Sequence, residues 1–236
     1  MIRKIMSSLR AVLTIVAMLV ALVGPAGATF PGKNGRIAFV EGPDIFTMDP
    51  DGSDVQQLTF LGPDNAAFWQ SWSADGQQIV FSEYLAPDFI GQLWVMNADG
   101  SNQHLLLSEP DYDHDAPSFS PDGRQVVFTR CQLIEHGTCA IYRVGADGTD
   151  LTAITQFQPE VLDFAPSYSP DGRTIAFESF NRDGVLGAIY LINANGSKIR
   201  PLTPPELGPN SPTGRQTGRR SRSRPTVAIP KMRRSG

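Results

Sequence analysis

Four turns recur along the chain at a constant spacing of 48 residues: Asp51-Gly52-Ser53, Asp99-Gly100-Ser101, Asp147-Gly148-Thr149 and Asn195-Gly196-Ser197. A chain that repeats itself at a fixed period builds one supersecondary unit several times and buries its core between the copies. An apolar stretch precedes each turn: Ile45-Phe46-Thr47-Met48, Leu93-Trp94-Val95-Met96, Ile141-Tyr142-Arg143-Val144 and Ile189-Tyr190-Leu191-Ile192. A shorter one follows each, near Leu58-Thr59, Leu105-Leu106, Ile154-Thr155 and Leu202-Thr203. A second turn lies between successive copies, spelled Trp72-Ser73-Ala74-Asp75-Gly76, Phe119-Ser120-Pro121-Asp122-Gly123 and Tyr168-Ser169-Pro170-Asp171-Gly172. It leads each time into a strand ending in phenylalanine, at Phe81, Phe128 and Phe177, and Gly35-Arg36-Ile37-Ala38-Phe39 is a shortened fourth copy of that strand.

The spelling has a physical reason. Asp-Gly and Asn-Gly supply the positive-φ residues that tight hairpins need, and a preceding proline presets φ at the first turn position. Each period therefore holds two hairpin turns and one looser loop, hence four strands. Four strands in 45–50 residues is the size of a propeller blade. No stretch beyond the first 25 residues has sustained helical periodicity. The expected fold is all-β: a β-propeller of about four blades, each of four antiparallel strands. The aromatic-Ser, Ser-Pro-Asp-Gly and Asp-Gly-Ser signals resemble the TolB-type β-propeller repeat, which is related to WD repeats, over about residues 32–203. That resemblance implies protein–protein or ligand recognition in the cell envelope or outside the cell.

The pattern breaks at both ends. Blade one enters directly at its second strand. A closing strand that would complete it is expected near residues 213–217, where the chain reads Thr213-Gly214-Arg215-Gln216-Thr217. The ring is thus incomplete or open as encoded. Three explanations stand: unrelated sequence after a truncation or frame change, a small ring closed by Thr226-Val227-Ala228-Ile229, or an open arc completed by a partner or a second copy. Charge marks the same boundary. Residues 29–208 carry nine basic against 24 acidic side chains, whereas residues 209–236 carry eight basic and no acidic ones. The domain reading is blades at 29–208 and a disordered Arg-rich tail at 209–236.

Residues 1–28 read as a signal peptide: Arg3, Lys4 and Arg10, then an uncharged apolar run over 11–23, then Ala26-Gly27-Ala28. The run is short for a bilayer span, which needs about 20 residues. The expectation is a secreted or periplasmic protein with no membrane span after cleavage. Cys131 and Cys139 flank a hairpin loop, and an oxidising compartment favours a disulfide between them over two buried thiols.

Candidate chemistry is sparse. Asp111-Tyr112-Asp113-His114-Asp115 precedes the Phe119-Ser120 strand, and Asp163 lies in the corresponding stretch of the next blade. Loops entering innermost strands converge on a propeller's channel, so Asp111, Asp113, Asp115 and Asp163 are candidates for holding a cation such as Ca²⁺ or a cationic ligand. The plainer reading is that they end loops and cap turns. Trp69, Trp72, Phe119, Tyr168, Trp94 and Tyr142 are expected in the core rather than as sugar-stacking platforms. The chain has no G-x-S-x-G elbow and no H-E-x-x-H pair. Arg219-Arg220-Ser221-Arg222-Ser223-Arg224 lacks interleaved aromatics, so nucleic acid is not expected as a partner. The functional reading is a non-enzymatic binding scaffold with no required cofactor; the alternative is a carbohydrate-active or metal-dependent enzyme on the same fold.

Overall fold

The computed structural model describes residues 35–133, 137–184 and 187–203. The leader, the tail and Thr226-Val227-Ala228-Ile229 lie outside them. Fifteen strands follow in order: β1 (Ile37–Glu41), β2 (Asp44–Met48), β3 (Gln56–Gln57), β4 (Ala66–Trp72), β5 (Gln78–Leu85), β6 (Ile90–Asn97), β7 (His104–Leu107), β8 (Tyr112–Phe119), β9 (Gln125–Gln132), β10 (Cys139–Gly145), β11 (Thr152–Ala153), β12 (Leu162–Tyr168), β13 (Thr174–Phe180), β14 (Ala188–Asn193) and β15 (Arg200–Pro201). Each blade is an antiparallel meander. Blade one has the three strands β1–β3, and blade two has β4–β7. Blades three (β8–β11) and four (β12–β15) join into one sheet through a single parallel bridge, Cys139 to Leu162. Among the described residues no strand of blade four pairs with blade one. The blades form an arc.

The core lies between blades, because each sheet presents apolar faces that are buried against the neighbouring blades. One cluster (Ile45, Leu58, Ile79, Phe81, Met96) fills the seam between blades one and two. A second (Val80, Leu93, Phe119, Val126, Phe128) fills the next seam, and a third (Val127, Ile141, Ile175, Phe177, Tyr190) the last. The repeated phenylalanines Phe81, Phe128 and Phe177 are all buried. Each contributes roughly 2–3 kcal/mol of burial.

The recurring turn spelling is a hydrogen-bonding device. In the first Ser-x-Asp-Gly turn the Ser73 hydroxyl donates to Asp75 Oδ1 (2.6 Å) and accepts the Gln78 N–H (2.9 Å), while Asp75 Oδ1 accepts the Gln77 N–H (3.0 Å). Ser120 with Asp122 and Ser169 with Asp171 repeat the arrangement. Gly76, Gly123 and Gly172 all sit at φ near +69.

A four-strand meander puts the first and third hairpin turns at one end of the blade and the other two connections at the opposite end. The Ser-x-Asp-Gly and Asp-Gly-Ser turns therefore share one face of the arc. The looser connections, including 60–65, 86–89 and 108–111, share the other, the loop face. The first strand of a blade is its innermost, and each of β4, β8 and β12 carries a β-bulge. The register shifts between Phe68 and Ser71, Asp115 and Ser118, and Phe164 and Ser167. The bulged residues Trp69, Ala116 and Ala165 have φ of 60, 48 and 48. This corrects the expected core position of Trp69. The bulge turns its side chain out of the ladder, and the residue is 56% exposed. Phe119 and Tyr168, by contrast, are buried as expected, and Trp72 and Trp94 pack against the first cluster.

Candidate functional site

Counting back from each bulge aligns the innermost strands residue by residue. Ala66, Asp113 and Leu162 share one position, Ala67, His114 and Asp163 the next, and Phe68, Asp115 and Phe164 the third. Asp163 is therefore the counterpart of His114, not of an aspartate. Its side chain is fully buried, accepting from the Ser179 hydroxyl (2.6 Å) and from the buried Arg182 guanidinium (2.5 Å). That pair ties the loop after β13 to the innermost strand of blade four. Asp111 is exposed at the loop face, where its carbonyl accepts the Leu133 N–H (3.1 Å). The four candidate aspartates do not converge. Only Asp113 and Asp115 come together.

Those two lie on β8, against the loop-side end of the central β5–β6 hairpin of blade two. Asp113 Oδ1 accepts the Gly91 N–H, and Asp115 Oδ1 accepts the Tyr84 hydroxyl. Gly91 permits the approach. A Cβ there would lie 2.6 Å from Asp113 Oδ1 and 2.9 Å from the His114 carbonyl oxygen. Burial pushes the Asp115 carboxyl up to about 6; the Tyr84 hydrogen bond works against the rise and the Asp113 charge adds to it. Burial also raises the Tyr84 hydroxyl, reinforced by Asp115, while the Trp69 side chain acts in the opposite sense. Phe68 meets Tyr84 edge-on with ring centroids 5.8 Å apart. Trp69, Phe68, Tyr84, Asp113 and Asp115 thus form one contiguous patch at the seam between blades two and three.

A second network lies behind it. The Arg130 guanidinium donates bidentately to Glu109, Nε to Oε2 at 2.8 Å and Nη2 to Oε1 at 2.5 Å. Its Cζ sits 3.3 Å from the Tyr112 ring centroid and 4.8 Å from that of Tyr142. Glu109 Oε2 also lies 3.1 Å from His114 Nε2, while His114 Nδ1 lies 3.1 Å from the Gly91 carbonyl oxygen. Burial opposes charge on Glu109, but hydrogen bonds from Arg130 and His114 prevail and hold its carboxyl low. Burial holds His114 below its ordinary value.

Sequence reasoning singled out Asp113 and Asp115 but missed Tyr84, Gly91, Glu109 and Arg130. A signal existed for the last two. Glu109-Pro110-Asp111 aligns with Gly62-Pro63-Asp64 and Gln158-Pro159-Glu160, and Arg130 aligns with Glu83 and Ser179. Blade three alone places an acid and a base at this pair of positions. Among the described residues no group of three or more His, Cys, Asp or Glu side chains is arranged to hold a metal ion. Cys131 and Cys139 stand directly opposite each other on β9 and β10, Cα atoms 4.1 Å apart, joined as a disulfide.

Comparison with known proteins gives a consistent picture of the fold. A family model for the TolB beta propeller domain matches residues 71–220. An uncharacterised protein of Agrobacterium fabrum is 29% identical over 111 residues, covering 47% of this chain and 35% of that protein. Among solved structures, TolB from Acinetobacter baumannii superposes with a TM-score of 0.60 at 23% identity, over 79% of this chain and 45% of its own. An oligogalacturonate lyase in complex with manganese superposes with a TM-score of 0.56 at 15% identity, over 71% of this chain and 50% of that one. The chain therefore spans half or less of the length of these proteins.

Proposed function

The chain belongs to the TolB β-propeller domain family, and from that premise we propose that it is an exported scaffold that binds a protein or envelope ligand through the loop face of its arc. A propeller of this family supports protein binding in general. The observation that carries the choice of face is the contrast between the two ends of the blades. On the turn face, Asp75, Asp122 and Asp171 spend their carboxylates on the Ser-x-Asp-Gly turns themselves. Phe89 stands out on the loop face (55% exposed), and at the adjoining seam the exposed Trp69 accompanies the Asp113–Asp115 pair, which has no arginine, lysine or histidine partner among the described residues. Exposed aromatic anchors beside two carboxylates that have hydrogen-bond donors but no cationic partner are the composition of a recognition surface.

Export is supported by the Arg3–Arg10 and apolar pattern of the leader and by the Cys131–Cys139 disulfide, a bond that persists in oxidising compartments. No helix among the described residues is long and apolar enough to cross a membrane. The likeness to the manganese-bound lyase is one of fold. Here Asp163 is committed to Arg182 and Asp111 stands apart, an arrangement that favours binding over catalysis.

Site-specific photo-crosslinking tests the reading. A crosslinker at Phe89 on the loop face is expected to capture an envelope or extracellular partner in the native host, and one at Gln77 on the turn face is not. Capture only from Gln77, or from both positions equally, would overturn it.

A further inference from the structure

The innermost strands offer an internal control for the Asp113–Asp115 pair. At the same two positions blade two carries Ala66 and Phe68, and blade four carries Leu162 and Phe164. The matching hairpin pair is Tyr84 with Gly91 in blade two and the Cys131–Cys139 disulfide in blade three. One seam is therefore filled with a disulfide, a leucine and a phenylalanine, and the neighbouring seam with a tyrosine and two carboxylates. The architecture accepts apolar residues there, so packing does not require the acids. Two like charges brought together in a half-buried site oppose folding unless something neutralises them.

A second, independent observation points to the same place. Ser82 is fully buried, and its hydroxyl finds no hydrogen-bond partner. It lies two residues before Tyr84 and so on the same face of β5, the face turned to β8. Its counterpart Thr129 spends its hydroxyl across the next seam, accepting the bulge N–H of Ala165 (3.0 Å). Tyr84 reaches across to Asp115, Ser82 lies unpaired on the same face of β5, and the exposed Trp69 side chain lies within hydrogen-bonding reach of Tyr84.

Building on the scaffold reading, we propose that this seam binds a basic side chain, the ammonium or guanidinium of a lysine or arginine presented by a partner polypeptide, between the Asp113 and Asp115 carboxylates and the face of Trp69. Two carboxylates form too small an oxygen set for a calcium ion, which takes six to eight ligands. An organic cation needs fewer charged partners and gains from an aromatic face. The chain holds its own cation this way nearby, with Arg130 stacked on Tyr112 and bidentate to Glu109.

Calorimetric titration of the full chain with N-acetyl-arginine amide and N-acetyl-lysine amide tests this, with N-acetyl-norleucine amide and Ca²⁺ as controls. Saturable binding of the arginine or lysine amide is expected, in the range of about 1 mM for a lone side chain, with none for norleucine. Asp115→Asn and Trp69→Gly should each weaken it by about tenfold. Glycine suits the φ of 60 at position 69, so that variant keeps its fold, to be verified by its melting temperature. Equal affinity for norleucine, Ca²⁺ binding tighter than either amide, or variants that bind like wild type would overturn the proposal. No binding of either basic amide, with partner capture at Phe89 intact, would remove this site and leave the scaffold reading standing.

Discussion

Gly100, Gly148 and Gly196 each meet two separate demands. All lie at φ of +81 to +83, and a Cβ on any of them would fall within 2.9–3.1 Å of a backbone oxygen in the preceding blade: Leu58, Leu106 or Ile154. Gly52, the first of the series, has the same backbone conformation at φ +84 and open space around it, since no blade precedes its own among the described residues. Gly52→Ala is expected to cost about 1 kcal/mol for the left-handed backbone alone. Gly100→Ala should cost about 1–3 kcal/mol more, because backbone must move to admit the methyl. Urea denaturation of the two variants measures the difference, and equal midpoints would show that the seam contact is not restrictive. Asp115 makes a different prediction at the same scale. Its folded pKa of about 6 exceeds the unfolded value of 3.8, so its contribution to stability is full below pH 4 and is lost as pH rises through 6. Asp115→Asn, with Tyr84 still able to donate to the amide oxygen, should be more stable than wild type at pH 7.5 by on the order of 1–3 kcal/mol, and little different at pH 4. Thermal melts at the two pH values decide it; a difference of the same size at both would sink the assignment to Asp115 titration.

At the scale of the element, the hairpins were the most legible part of the chain. Ser73-Ala74-Asp75-Gly76 and its two copies announce their turns because the same side chains that spell the motif satisfy the turn's own N–H groups. The bulges were not legible. Ala116 and Ala165 are both alanines before a proline, but blade two has Trp69-Gln70 there, so nothing in the sequence distinguished a tryptophan about to leave the ladder from one about to enter the core. The β9–β10 hairpin carries its own prediction. Its disulfide joins residues eight apart and closes a short loop, for which chain entropy gives roughly 2–3 kcal/mol. Dithiothreitol should lower the melting temperature accordingly, and Cys131→Ser/Cys139→Ser should reproduce the drop and abolish the response to reductant. An unchanged melting temperature on full reduction would count against a stabilising role.

For the whole molecule, stability follows position along the arc. Blades two and three pack on both faces, against the first and second and the second and third clusters. Among the described residues blade one has three strands, and β1 is paired only to β2. Native-state hydrogen exchange should therefore be slowest for amides of β5, β6 and β9 and at least tenfold faster in β1–β3 and β15. Uniform protection across all four blades would mean that blade one is covered by residues beyond those described. The repeat period, the strand order and the buried phenylalanines could be read from the sequence because each is a local rule written three or four times over, and the copies average out the noise of any one. The pairing of Asp113 with Gly91 and of Asp115 with Tyr84, the unpaired Ser82 and the exposed Trp69 could not. Those contacts join residues of different blades, and the distances between them are set by how sheets stack, which no local spacing encodes.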